Sequence, residues 1–493
     1  MMSRTIVMET VTYTYPNADE PALENVDLEI KRGEFVLIVG RSGCGKSTLA
    51  RCLNGLIPHF FEGNLEGKVI VEGKDVREHS VYELAKHVGM VFQNPESQLF
   101  TIAVENEVAF GPENFGVPKE DLRKRVNWAL ECVKMSELRL KPVFELSDGQ
   151  KQRVAVASNL SMLPNILVLD EPTSNLDPKG SQEVFDILKD LKEKTDKTIV
   201  LIEHRTKFAS KYADRVIIMD SGEIKYDDSP EILFKHQILE NFGIRSPEIK
   251  LSPLSSPKLK EEPFDPVIEV KNLHYSYESG FSIQGVNMSV QKGESIGIMG
   301  PNGSGKTTLI KHFVGLLKPI KGKVFVCGID TQNAKVSKLA EKVALILQNP
   351  NHQLFMNTVY DEVAVSLRTE RLSKEEIEKR VEKVLKIMDL WELKDRHPHS
   401  LSEGQKQRLT IASALVKEPN VLVLDEPTSG MDGHHLNLLI DKLNELKRKG
   451  LTLILVSHDL EVISKVCDRT VLLDNGGIIA DRPIEETLID KDL

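Results

Sequence analysis

The 493-residue chain has no run of about 18 apolar residues, the length a helix needs to cross a bilayer. Its start, MMSRTIVMET, lacks the apolar core of a secretory leader. Cysteine is scarce: Cys44, Cys52, Cys132, Cys327 and Cys467 lie apart, with no Cys-x-x-Cys pair. That excludes a disulfide framework and a zinc ribbon, and points to a reducing compartment. Basic excess is also missing. Lys plus Arg number 64 against 74 Asp plus Glu, a net charge of −10, which argues against a general nucleic-acid binder. These absences describe a cytosolic chain, long enough for two or three domains.

What is present is a duplication. "QNPESQLF" at 93–100 returns as "QNPNHQLF" at 348–355. "LSDGQKQR" from Leu146 returns as "LSEGQKQR" from Leu401, and "LVLDEPTS" from Leu167 returns from Leu422. All three pairs keep one spacing, 255 residues. "GRSGCGKST" from Gly40 and "GPNGSGKTT" from Gly300 stand 260 apart, so the first copy carries a five-residue insertion, placed at "IPHFFEGNLEG". Between the copies, "RSPEIKLSPLSSPKLKEEPFDP" is rich in Pro, Ser, Lys and Glu and reads as a linker. The expected organisation is a first copy over 1–245, a linker over 246–266 and a second copy over 267–493. About 22 flexible residues span on the order of 25 Å, which keeps two unlike copies paired one to one.

Short apolar runs alternate with helical patterns in each copy, which predicts an α/β architecture of buried parallel strands. Gly40–Ser47 and Gly300–Thr307 both fit G-x-x-x-x-G-K-[ST] after such a run. Glycines at that spacing let backbone N–H groups curl around phosphate. Lys46 and Lys306 supply charge for it, and Ser47 and Thr307 can ligate Mg²⁺. Asp170 and Asp425 end apolar strands and can hold Mg²⁺ through water. Glu171 and Glu426 follow at once. Strand alternation turns them to another task, general base toward an attacking water. His204 and His458 end later strands, within reach of a γ-phosphate. Ser147-x-x-Gln150 and Ser402-x-x-Gln405 are capping boxes that open helices, and a helix start also offers free N–H groups to an anion.

With these motifs in order, each copy resembles the nucleotide-binding cassette of ABC transporters. The resemblance covers nearly all of both halves. It implies tandem P-loop NTPase cassettes, each with a RecA-like α/β core, an antiparallel β subdomain and a helical signature subdomain. It implies ATP and Mg²⁺ as cofactors, and ATP hydrolysis. The first nucleotide loop would comprise Gly40, Arg41, Ser42, Gly43, Cys44, Gly45, Lys46, Ser47 and Thr48. The second would comprise Gly300, Pro301, Asn302, Gly303, Ser304, Gly305, Lys306, Thr307 and Thr308. In the family two cassettes close head to tail on two ATPs. By that implication Lys46 shares a site with Ser402, Gly404 and Gln405, and Lys306 shares one with Ser147, Gly149 and Gln150. Asp177 and Asp432 would cross between cassettes. Tyr15 and Tyr277 match the aromatic that stacks on adenine, and Gln93 and Gln348 the glutamine that contacts Mg²⁺ and the attacking water. One departure is Asp148 and Glu403, where the family signature has glycine; these acids are expected to point away from the ligand. Cys44 needs only to be small, and its position predicts that alkylation blocks the first site unless ATP protects it.

The phrases "NPxxQLF", "GLIPHFFEG", "VAFGPENFG" and "IEHR" resemble the ATPases of energy-coupling factor transporters. The implied role is to energise import of a vitamin or a transition metal ion. The implied partners are a transmembrane coupling subunit and a small substrate-binding membrane subunit, at the cytoplasmic face of the membrane, with no nucleic acid. The second copy has "VAVSLRTERL" in place of the "GPEN" segment, so the two halves need not grip the partner equally. Alternative readings are a tandem ABC ATPase acting on the ribosome or nucleic acid, or the ATPase of a conventional importer. Leu99-Phe100 and Leu354-Phe355 read as half of each partner groove; the competing reading makes them buried anchors of the helical subdomain.

Overall fold

The computed structural model describes residues 4–174, 176–248, 266–277, 280–368, 370 and 372–489. Most of the expected linker, 249–265, and Asn175 lie outside the described residues. The chain divides into two compact units, residues 1–248 with 432–434, and 249–431 with 435–493.

In the first unit a six-stranded sheet runs in the order Glu223–Asp228, Arg215–Asp220, Phe35–Gly40, Thr198–Ile202, Ile166–Asp170, Val88–Val91. Its central strands pair in parallel, and Phe35–Gly40 and Ile166–Asp170 are buried along their whole length, as their unbroken apolar runs predict. A second sheet, Leu23–Lys31, Arg4–Thr14, Asn64–Val71 and Lys74–Asp75, is antiparallel and alternates buried with exposed residues. One apolar core joins the two sheets around Tyr13, Leu49 and Ile38. Another joins the opposite face of the six-stranded sheet to helices Val104–Asn114, Lys119–Cys132 and Asp148–Leu160.

The second unit repeats this plan. Its six-stranded order is Val343–Ile346, Val421–Asp425, Thr452–Val456, Ser295–Met299, Arg469–Asp474, Gly477–Pro483. Its antiparallel sheet runs Ser282–Gln291, Pro266–Ser276, Lys321–Val326, Ile329–Asp330. Register fixes the chemistry in both. Asp170 pairs with Ile202 and Asp425 with Val456, so the acid-bearing strand ends lie beside the strands that lead into His204 and His458. No helix among the described residues is long and apolar enough to cross a membrane.

Candidate active sites at the strand ends

Each glycine loop leaves a buried strand and enters a helix, Lys46–Leu53 or Lys306–Phe313. Gly43 and Gly303 sit at φ +81, and a Cβ on either would meet nothing within 4 Å. The loop backbone therefore faces open space, as a phosphate cradle requires. Lys46 Nζ donates to Gly40 O at 3.0 Å and Arg41 O at 2.7 Å; Lys306 Nζ donates to Gly300 O at 2.8 Å and Pro301 O at 3.0 Å. Both ammonium groups are buried and rest on the carbonyls of their own loops, poised to turn to an anion.

The Asp-Glu pairs divide their work by a different device from strand alternation. The strands stop at Asp170 and Asp425, and Glu171 and Glu426 turn back in the left-handed region, at φ 48 and φ 47. A branched-backbone cost of this kind persists where surrounding structure enforces it, and it often marks function. Here Glu171 N donates to Ile202 O at 2.9 Å and Glu426 N to Val456 O at 2.8 Å, which pins both turns.

The donor sets fit a hard divalent cation. Asp170 Oδ1 is buried with no hydrogen-bond partner among the described residues. Burial, reinforced by the charge of Glu171, pushes Asp170 up to about 6. In the second unit Thr307 Oγ1 donates to Asp425 Oδ2 at 2.9 Å, and burial again raises the acid despite that bond. Hydroxyl and carboxylate, the two protein ligands expected for Mg²⁺, thus meet.

Glu171 is the most tightly held acid of the first site. Gln93 Nε2 donates to its Oε2 at 2.8 Å, and His204 Nε2 stands 2.9 Å from its Oε1. Burial alone would raise its pKa, but the charge and hydrogen bond of His204 outweigh that and hold it below the usual carboxylate range. In the second site His458 Nε2 stands 3.2 Å from Glu426 Oε1 and 3.1 Å from Asn302 Oδ1. Gln348 is exposed and makes no side-chain hydrogen bond among the described residues, so the glutamine is brought to the acid in one site only.

Other expected residues fall as follows. Ser147 and Ser402 form their capping boxes: Gln150 N and Gln405 N each donate to the serine Oγ at 3.3 Å. Asp148 and Glu403 are exposed, and Glu403 pairs with Lys406 Nζ at 2.8 Å. Asp177 caps its own helix by accepting from Gly180 N at 2.7 Å. Tyr15 packs edge-on against Tyr13, centroids 4.8 Å apart, and Tyr277 packs likewise against Tyr275 at 5.0 Å. The Tyr15 hydroxyl also accepts from Arg51 Nη1 at 2.9 Å, which fixes it beside the helix that follows the glycine loop. Cys44 is buried, and burial raises its thiol pKa, which works against the alkylation expected there.

The repeated "QNPxxQLF" is a loop built by its own polar groups. Asn94 Oδ1 accepts from Glu96 N at 3.0 Å and Asn349 Oδ1 from Asn351 N at 2.9 Å, with buried Pro95 and Pro350 between. Gln98 grips the preceding strand through Phe92 N and Met90 O, at 3.2 and 3.0 Å. Gln353 does the same through Leu347 N and Leu345 O. Sequence reasoning missed one anchor in each copy. Glu107, 3% exposed, accepts from Phe100 N at 3.1 Å and Thr101 N at 2.8 Å. Glu362 accepts from Phe355 N and Met356 N, both at 2.7 Å. The signal was available, since these glutamates keep the 255-residue spacing. The Leu-Phe pair is split between the two readings offered for it. Leu354 is 2% exposed and Leu99 packs on the core, whereas Phe100 and Phe355 are 64% and 73% exposed.

The ABC transporter family model matches residues 23–174 and 283–429. A protein of Methanosarcina mazei, provisionally named an ABC transporter ATP-binding protein, is 39% identical over 98% of this chain and 89% of its own length. One of Caldanaerobacter subterraneus subsp. tengcongensis, similarly named, is 38% identical over 97% of this chain and 91% of its own. Among solved structures, cbiO1 from Clostridium perfringens, part of the ABC transporter complex cbiONQ, is 35% identical over 46% of this chain and 92% of its own, at a TM-score of 0.44. With two phosphate cradles, two acid-histidine sites and this kinship, the chain belongs to the ABC transporter family, as an ATP-hydrolysing protein with two ATP-binding cassettes that use ATP and Mg²⁺.

Proposed function

We propose that the two cassettes energise an importer of the energy-coupling factor type, carrying a vitamin or a transition metal ion. The partners are a transmembrane coupling subunit and a small substrate-binding membrane subunit, met at the cytoplasmic face. The carrying observation is a groove of about 320 Å³ in the first cassette, beside the loop that bears Gln93. Phe92, Phe100, Phe110, Phe115 and Met162 line it, and Phe100 meets Phe110 edge-on at 4.6 Å. An open aromatic groove suits the apolar face of a short helix. The "NPxxQLF", "GPEN" and "IEHR" phrases support the same subclass.

The grip is unequal. Where the first cassette has Tyr82, Phe110 and Phe115, the same spacing puts Ser337, Val365 and Glu370 in the second. The first groove is therefore the main seat. Phe100→Asp is expected to abolish membrane assembly while ATP binding and the melting transition stay near normal. Phe355→Asp is expected to weaken assembly less. Unfolding of the Phe100→Asp chain, or its unchanged assembly, would reject the groove.

Mg²⁺, which Ser47 and Asp170 or Thr307 and Asp425 would hold, would neutralise charge on the phosphate oxygens when bound. Lys46 and Lys306 exchange their loop carbonyls for those oxygens. Glu171 and Glu426 accept a proton from the attacking water, and His204 and His458 orient the acid and the terminal phosphate. Gln93 links the first site to the adjoining groove, and Gln348 would serve the second site only on moving toward Glu426.

A further inference from the structure

The residue before His204 is a glutamate that is 1% exposed, and the residue after it is an arginine. Glu203 Oε1 accepts from His204 N at 2.9 Å and Arg205 N at 3.1 Å. Its Oε2 accepts from the buried Thr173 hydroxyl at 2.5 Å. Thr173 lies two residues beyond Glu171. Arg205 Nη1 reaches the same stretch of chain and donates to Leu176 O at 2.8 Å. Side chains on both sides of His204 therefore clasp its loop to the segment that follows Glu171.

The second cassette has the same threonine, Thr428, also buried, but Ser457 and Asp459 flank its histidine. There Ser457 Oγ accepts from Asp459 N at 3.0 Å and Asp459 Oδ1 accepts from Glu461 N at 3.1 Å, bonds that stay within the histidine loop and its helix. A serine is too short to repeat the reach of Glu203.

We propose that Glu203 and Arg205 are positioning residues of the first ATP site, holding His204 against Glu171 through Thr173 and Leu176. The proposal rests on Glu171 and His204 being that site's proton acceptor and its partner. A buried carboxylate with three donors is costly to build unless geometry is its return, and catalytic groups need placement within a fraction of an ångström. Loosening the clasp leaves phosphate binding to the glycine loop intact and affects the chemical step, where orientation counts. The two sites then differ: the first holds its histidine loop through Glu203 and Thr173, whereas in the second His458 N donates directly to Glu426 Oε2 at 3.3 Å and the ring also meets Asn302.

The test uses the full chain. Glu203→Ser installs the residue that the second cassette carries. Its kcat, read well below the melting transition, is expected to fall by half or more with KM for ATP and ATP affinity unchanged, while the melting temperature drops because three donors lose their acceptor. Glu203→Gln keeps an oxygen for the two N–H groups and an amide for the Thr173 hydroxyl, so it is expected to restore kcat to near the parent value. Wild-type kcat in Glu203→Ser overturns the proposal, as does a loss of ATP binding in step with kcat. Glu171→Gln run in parallel separates the two layers. If it is inactive while Glu203→Ser is fully active, the clasp alone is wrong; if it is itself fully active, the reading of Glu171 falls and takes the clasp with it.

Discussion

Gln93 donates through Nε2 to Oε2 of Glu171 at 2.8 Å, so the loop bordering the aromatic groove already touches the acid at the end of the neighbouring strand. One side chain thereby links the rim of the aromatic groove with the acid of the first candidate site. Gln93→Ala is expected to leave ATP binding near normal and to weaken stimulation of turnover by a membrane partner. Gln348→Ala is expected to have the smaller effect. The check is ATPase activity with and without membranes that contain the partner proteins.

Both Glu171 and Glu426 follow their strands in the left-handed region and both face a histidine, so both sites are expected to hydrolyse. Glu171→Gln and Glu426→Gln, made singly, should each lower turnover, and the double variant should lower it by roughly 10²-fold or more. Steady-state phosphate release checks this, and an unaffected single variant would mark an idle site.

Histidine 204 keeps Glu171 ionised against its burial. In His204→Ala the largest contributions opposing burial are lost, only the charge of Lys46 remains against it, and the carboxyl pKa rises. A base must be deprotonated to work, so the acid limb of the kcat profile should move to higher pH. A pH–rate comparison of the two proteins reads this shift. A limb that stays in place would separate Glu171 from the rate-limiting proton transfer.

Glu107 and Glu362 each satisfy two backbone N–H groups in the loop that presents Phe100 or Phe355. Removing either acid orphans both donors, at a cost of about 2–3 kcal/mol. In Glu107→Ala, hydrogen exchange of the Phe100 and Thr101 amides should accelerate about 30-fold or more. The six-stranded sheet should keep its protection.

The half-exposed Cys132 and Cys327 should react with iodoacetamide at neutral pH well before Cys44, Cys52 and Cys467, which are buried with raised thiol pKa values. Peptide mapping over time would show the order, and ATPase activity should outlast the first two modifications.

Much of this was legible because duplication acts as an internal control. A lone Gly-rich match or a lone histidine carries little weight, but His204 and His458 end matching strands in matching register. The fold class followed from apolar runs such as Phe35–Gly40, which have one physical outlet, a buried parallel strand. What stayed hidden depended on contacts between distant segments. Strand periodicity could not show that Glu171 leaves the strand through a left-handed turn, because φ at that point is set by the neighbouring strand. Composition could not divide Leu99 from Phe100, since both are apolar and only packing decides which is covered. Glu203 and Glu107 read as ordinary acids until their backbone partners are seen.

The central claim is that hydrolysis in these cassettes serves a membrane partner seated on the Phe100 groove. The most direct test is affinity purification of the tagged full chain from detergent-solubilised membranes of its source, with the recovered proteins identified by mass spectrometry. The account predicts a polytopic membrane protein in stoichiometric amount, lost with Phe100→Asp. Recovery of the chain alone, or with ribosomes, from membranes that hold its partners would contradict it.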